Sequence, residues 1–281
     1  MSIACRLCGN SNLVSVLDLG ASPPCESFLS EEQLDQPEVT YPLHLRLCPD
    51  CLLLQIPALI TPEETFGGDY AYYSSCSVSW VEHARRFVDQ AVESLGLGPD
   101  GFVVEVAAND GYLLQHVVNR GIRCLGIEPS LNCSEAARGK GIPMLRAFLD
   151  EALAARVRDE HGPADLVVAN NVFAHIPDIT GFASGLRGLV ADTGRISIEV
   201  HHALSLITAA QFDTVYHEHF QYWTVLAARH GLAAGGLRLV DVELLPTHGG
   251  SIRLWAVPGE SDVTENPRVA EAEASRRIDL W

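Results

Sequence analysis

Between residues 101 and 200 the chain repeats one pattern: a short β-branched or aliphatic run, a break, then apolar positions at helical spacing. Residues 101–107 (GFVVEVA) read as a buried parallel strand, because a strand covered on both faces needs no polar alternation. Asn109-Asp110-Gly111 is a turn, and 112–120 is predicted as the helix that follows. Residues 124–127, 165–169 and 194–199 predict further strands, 132–140 a second helix, and 238–244 with 251–256 a late strand pair. Strand–helix alternation closed by two adjacent strands predicts an α/β fold, a doubly wound sheet with an antiparallel tail. Upstream, Val81, Ala84, Phe87, Val88, Ala91, Val92 and Leu95 recur at helical spacing and predict one helix.

Before that helix the periodicity dissolves. Five of the eight cysteines fall within the first 51 residues, among Pro23, Pro24, Pro37, Pro42 and Pro49, as expected of a small loop-rich module. The predicted organisation is a metal-binding module over 1–60, a tyrosine-rich connection and helix over 61–95, and the α/β domain over 96–257. A charged tail, expected to be helical, occupies 258–281.

Composition narrows the classes. A hydrophobic fraction of 47% in 281 residues supports a sizeable core. A net charge of −17 without any Lys/Arg-rich tract argues against nucleic acid and anionic membrane surfaces as partners. No apolar run approaches the roughly 18 residues needed to span a bilayer, and MSIACRLCGN lacks a signal-peptide core. The expectation is a cytoplasmic protein acting on a small molecule, with cysteines serving as metal ligands or reduced thiols.

Cys5-Arg-Leu-Cys8 and Cys48-Pro-Asp-Cys51 are paired CxxC knuckles. One tight turn presents two sulfurs, and two such turns complete the four thiolates of a closed, structural zinc site. The 39 intervening residues are tolerable because loop-closure entropy grows only logarithmically.

The strand at 102–106 runs into a tight turn and then a helix, which places a ligand at the carboxyl edge of the sheet. S-adenosylmethionine enzymes carry Glu/Asp-x-Gly-x-Gly-x-Gly there; this chain has Glu105, then Ala107, Asn109 and Gly111 at the glycine positions. Alanine still permits close approach, and asparagine tolerates a left-handed φ. The spacing misses GxGxxG, which argues against NAD. Glu128, 17 positions after Gly111 and followed by Pro129, ends the next strand where a carboxylate can accept both ribose hydroxyls. Phe148 could stack on adenine or fill the core, and Asn170 with Asn171 ends a strand at the same edge.

Tyr216-His217-Glu218-His219 concentrates groups that abstract and shuttle protons near neutral pH. Its HxH spacing is also compatible with a metal, and the run with a polar cluster at a helix start. His175 closes another strand-to-helix loop, and His201 with His202 follows Glu199 in the same way. Tyr70, Tyr72 and Tyr73 could line a pocket or simply pack.

Taken together, the two knuckles, Asp69-Tyr70-x-Tyr72-x-Ser74, the Glu105–Gly111 turn, Ala169–Asp178, Phe212–Phe220 and Thr247–Arg253 resemble the zinc-containing sugar C-3′-methyltransferases of deoxysugar and antibiotic biosynthesis. The resemblance runs from Cys5 to about Ala256. It implies a class I methyltransferase fold, S-adenosylmethionine as cofactor, one structural zinc, and C-methylation of a nucleotide-linked 3-keto-deoxysugar. It assigns His219 as base, with Tyr216, Glu218, Tyr70 and His175 around the substrate. That family continues into a C-terminal domain helping to bind the nucleotide-sugar, where this sequence has only Pro258–Trp281. The departure leaves room for a partner domain in that place, or for a smaller or carrier-bound substrate. Two alternative readings stand beside this one: O- or N-methylation of another natural-product intermediate, and a non-catalytic cofactor- and zinc-binding subunit.

Overall fold

A computed structural model of the chain describes residues 3–25 and 27–274. The strands are β1 (Val14–Ser22), β2 (Tyr41–Leu47), β3 (Leu54–Gln55), β4 (Phe102–Val106), β5 (Arg123–Ile127), β6 (Met144–Leu145), β7 (Ala164–Asn170), β8 (Val190–His201), β9 (Gln221–Tyr222), β10 (Leu237–Leu245) and β11 (Ser251–Pro258). The α-helices are α1 (Pro62–Phe66), α2 (Val78–Leu95), α3 (Leu114–Val118), α4 (Leu131–Gly139), α5 (Glu151–His161), α6 (Ile179–Leu189), α7 (Ala203–Thr208), α8 (Val225–Ala234) and α9 (Pro267–Ala274).

Seven strands form the main sheet in the order β10-β11-β8-β7-β4-β5-β6. The five from β6 to β8 are parallel, while β11 runs antiparallel to both β8 and β10. This is the doubly wound sheet with an antiparallel tail that the alternation predicts. The pleat of β4 divides the core. Phe102, Val104 and Val106 pack with α5, α6 and α8, whereas Val103 packs with α2, α3 and α4. Each predicted strand appears, trimmed by one residue at either end in β4 and extended by one or more residues elsewhere; the predicted helix at 112–120 is confined to α3. Three helices without a sequence expectation, α5, α6 and α8, cover one face, each started by a side-chain cap from Asp150, Asp178 or Thr224. Of the charged tail expected to be helical over 258–281, residues 259–266 are not helical and Pro267–Ala274 form α9; its residues after Ala274 lie outside the described ones.

The cysteine-rich segment is bound into this body. Its antiparallel sheet has the order β1-β2-β3-β9, so its last strand comes from residues 221–222, late in the chain. Cys5, Cys48, Cys51 and Leu53 belong to the same buried cluster as β4 and β7. Among the described residues no helix is long and apolar enough to cross a membrane.

Candidate active site

Strand β4 lies between β5 and β7, so the winding direction reverses at its carboxyl end, where a crevice opens. The backbone there is bent for close approach. Ala107 and Asn109 adopt φ of 56° and 48°, and Gly111 takes φ 77° where a Cβ would collide with Ile142. A cleft of about 290 Å³ opens above this turn. Ala107, Asn109, Glu128, Pro129, Phe148 and Asn170 line it, as do Tyr70, His175, Tyr216 and His219. Gly111 and Glu105 support the cleft from beneath rather than lining it, and Glu218 is buried outside the lining.

The polar groups at this edge are poised unevenly. Glu128 accepts the backbone N–H of Asn109 at 2.8 Å on Oε2 and that of Ser130 at 2.9 Å on Oε1. Burial raises its carboxyl, and those two donors counter the shift. Each oxygen keeps lone-pair capacity for a further donor. The side chain of Asn109 is used otherwise: it accepts from Ser74 N at 2.8 Å and donates to Tyr72 O at 3.1 Å, clasping the tyrosine-rich loop. Both oxygens of Glu105, and Oδ1 of Asn170 and Asn171, are buried without a hydrogen-bond partner among the described residues. Burial pushes the Glu105 carboxyl well above the usual range. Unsatisfied buried acceptors at strand ends are costly, and they suit a ligand carrying an ammonium group and hydroxyls.

Four histidines from distant segments converge on the cleft. The His219 ring centroid lies 4.8 Å from that of His175 and 4.9 Å from that of His201, and His201 lies 5.5 Å from His248. Sequence reasoning gave His201 little weight and left His248 without a role. The antiparallel pairing that sets Ser251 against His201 brings them together. Beneath them Glu199 accepts from Arg253 at 2.6 Å, His83 at 2.8 Å and Thr247 at 2.8 Å, pinning the loop that carries His248. Burial opposes ionisation of Glu199, but the His83 hydrogen bond and the Arg253 charge outweigh it and hold the carboxyl low.

His219 and His217 separate clearly. His219 Nδ1 faces the Thr214 carbonyl at 3.0 Å and so must carry the hydrogen, which leaves Nε2 as acceptor for the Tyr216 hydroxyl at 2.8 Å. His217 turns away and donates through Nε2 to Tyr41 O at 2.9 Å. The run sits in a turn, not at a helix start.

Burial, then the neighbouring imidazoles, push the pKa of His175 and His201 down to about 4, and that of His219 well below its usual value. The unfolded chain takes up these protons near pH 6.5 and the folded protein resists. Stability present above pH 6.5 should therefore be lost as the pH falls towards about 4. Melting temperatures across this window should fall more steeply for the wild type than for His201→Asn. Buried Glu105 and Glu128, whose carboxyls are raised, act with the opposite sign, so this comparison isolates the imidazole share; equal slopes would refute it.

The sulfurs of Cys5, Cys8, Cys48 and Cys51 all lie within 4.8 Å of one another. Cys5 approaches Cys51 at 3.5 Å and Cys8 approaches Cys48 at 3.4 Å. Four converging thiols, three of them buried, are the donor set of a closed zinc site.

Sheet order, strand-edge cleft and cysteine cluster define a class I S-adenosylmethionine-dependent methyltransferase fold with an N-terminal zinc-binding module. Family comparison agrees: a zinc binding domain family matches residues 5–66, and a methyltransferase domain family matches residues 80–242. The chain belongs to that methyltransferase domain family. It is 34% identical over 273 residues to the C-methyltransferase NovU of Streptomyces niveus. The alignment covers 97% of this chain and 65% of NovU, so the chain spans just under two thirds of that relative's length. Solved structures share the fold. A magnesium protoporphyrin IX methyltransferase from Synechocystis PCC 6803 has a TM-score of 0.50 at 17% identity, over 64% of this chain and 84% of its own. A Pyrococcus horikoshii protein also reaches 0.50, at 10% identity, over 66% of this chain and 94% of its own.

Proposed function

We propose that this chain is an S-adenosylmethionine-dependent C-methyltransferase acting on a carbon next to a ketone, in a nucleotide-linked 3-keto-deoxysugar of natural-product biosynthesis. The observation that carries this reading is the buried His219–Tyr216 pair at the cleft: a neutral imidazole whose tautomer leaves the Nε2 lone pair as the acceptor. N- and O-methylation start from a lone pair already in place, whereas carbon must first lose a proton. The name of the relative NovU points the same way.

In this reading Glu128 accepts the ribose hydroxyls of the cofactor, Phe148 packs beside its adenine, and the Asn170 acceptor faces its charged end, with Glu105 supporting the turn from beneath. The bound cofactor supplies an electrophilic methyl group. The chain's own residues prepare the nucleophile. His219 Nε2, acting directly or through the Tyr216 oxygen, takes the proton from carbon. His201, kept neutral by burial, leaves Nδ1 without a partner among the described residues and can hold its N–H there towards the developing enolate oxygen, with His175 bordering the same space. Tyr70 borders the same space, and Glu218, buried outside the cleft lining, backs the base loop. None of the described residues lining the cleft is Lys or Arg.

Glu128→Ala should weaken S-adenosylmethionine binding. Loss of hydrogen bonds to a charged group, at roughly 1.5–3 kcal/mol, corresponds to about a 10- to 150-fold rise in Kd by calorimetry; an unchanged Kd would move the cofactor site. The function itself is tested by incubating enzyme with a nucleotide-linked 3-keto-deoxysugar in deuterated water. Deuterium should enter at the carbon beside the ketone, and its absence across such substrates would refute the proposal.

A further inference from the structure

The first cysteine knuckle carries a residue that metal binding does not use. Arg6 sits between Cys5 and Cys8, and its guanidinium is directed into the body of the protein. Nη1 donates to the carbonyl of Phe220, the residue after His219, and to Gln221 Oε1 at 2.8 Å. Nη2 donates to Ile56 O at 2.5 Å, and the backbone N–H of Arg6 donates to Gln55 Oε1 at 3.2 Å. Gln221 extends the chain of contacts. Its amide nitrogen donates to Phe173 O and Ile176 O, each at 2.7 Å, the carbonyls on either side of the His175 turn. Phe220 N–H closes the circuit onto Ala174 O at 2.9 Å. One side chain therefore reaches the loop of His219 directly and the loop of His175 through Gln221.

We propose that Arg6 is a positioning residue: it couples the zinc knuckle to the two loops that hold His219 and His175 against each other, so that an ordered knuckle sets the geometry of the base. The residue type suits the task. Three acceptors on two chain segments, lying in different directions, match a planar fork of five N–H donors, whereas an ammonium is a compact point charge. Among the described residues these loops have no regular ladder beyond the two-residue β9, so side-chain donors add to a few isolated backbone bonds in fixing them. This also gives a reason for the small sheet to borrow its last strand from residues 221–222: the strand that follows the base is paired to the module that holds the cysteines.

The catalytic consequence rests on the reading of His219 as the base; the coupling itself does not. The test therefore has a structural arm and a kinetic arm, run on the zinc-loaded full chain. In Arg6→Ala, hydrogen exchange should accelerate at the amides of 173–176 and 219–221 while the main-sheet strands β4 and β7 stay protected. Zinc content and the calorimetric Kd for S-adenosylmethionine should be unchanged. With a nucleotide-linked 3-keto-deoxysugar, kcat should fall roughly 10- to 100-fold, the scale of a misplaced reacting group. Millimolar guanidinium should restore part of it, and Arg6→Lys should retain more than Arg6→Ala. If Arg6→Ala does not fold, Gln221→Leu, which keeps the four cysteines and the Arg6 bonds to Phe220 O and Ile56 O, must accelerate exchange at 173–176. Unchanged exchange in both loops, or acceleration spread evenly over the sheet with loss of zinc, would overturn the proposal. Localised acceleration without any methyl transfer would uphold the coupling and sink the functional reading instead.

Discussion

His219→Asn should lower turnover by about 10²–10⁴-fold, the usual contribution of a positioned acid–base group. Asparagine keeps a polar group of similar size, but it has no basic nitrogen to take the place of Nε2, which now accepts from Tyr216 at 2.8 Å. Cofactor affinity should stay unchanged, because His219 is not among the residues assigned to the cofactor, which lie at the ends of β4 to β7. Deuterium incorporation beside the ketone should fall in parallel with methyl transfer, since both need the same carbanion. The control is His217→Asn. That ring donates to Tyr41 O and does not line the cleft, so its loss should lower the melting temperature and leave turnover nearly intact. Wild-type exchange and turnover in His219→Asn would remove this residue from the chemistry and shift attention to His175.

The second large effect concerns the metal. Cys48→Ser should release zinc and loosen more than the knuckle itself. Binding energy at a closed thiolate site is folding energy, on the order of 10–16 kcal/mol in small zinc-dependent peptides. Here only part of it is coupled to the rest, because Cys5, Cys48 and Cys51 pack in the main core cluster, which has its own apolar contacts. Even about 3 kcal/mol of lost coupling would lower Tm by roughly 6–12 °C in a domain of this size. Metal analysis and thermal denaturation together check the expectation. A metal-free wild type with an unchanged Tm would contradict it.

The sheet was legible in the sequence where physics leaves a local mark. Parallel strands covered on both faces give unbroken runs such as GFVVEVA, and paired CxxC spacing marks a metal site. The covering helices left weaker marks. Helix α6 (ITGFASGLRGL) contains three glycines, which lower helix propensity, yet the packing requires two of them. A Cβ on Gly185 would press on Leu149 at 3.0 Å, and one on Gly188 would meet Ala154 at 2.9 Å. Gly231 in α8 serves a similar close approach to Trp223. Tertiary contact overrides propensity there, and no window of sequence reveals it.

The site divides in the same way. Glu128 was legible because a carboxylate ending the second strand has a fixed place in this topology. The choice of His219 over His217 came only from resemblance, since spacing treats them alike. The carbonyls of Thr214 and Tyr41, which separate their roles, sit five residues away and on β2 respectively. His201 and His248 meet through β8–β11 pairing, a contact between segments 47 positions apart, which local reading cannot see. Asn109 shows the converse: its position in the turn was expected, but its amide clasps the tyrosine-rich loop.

The measurement that tests the central claim most directly is the atom that receives the methyl group. The full chain, loaded with zinc, would be given S-adenosylmethionine labelled with ¹³C in the methyl group and a nucleotide-linked 3-keto-deoxysugar, and the product read by carbon NMR. The labelled methyl should show one-bond coupling to the adjacent ring carbon in a carbon-labelled sugar, which places it on carbon beside the ketone. A methyl resonance typical of an ether or an amine, without that coupling, would contradict the account, as would a labelled cofactor that survives intact.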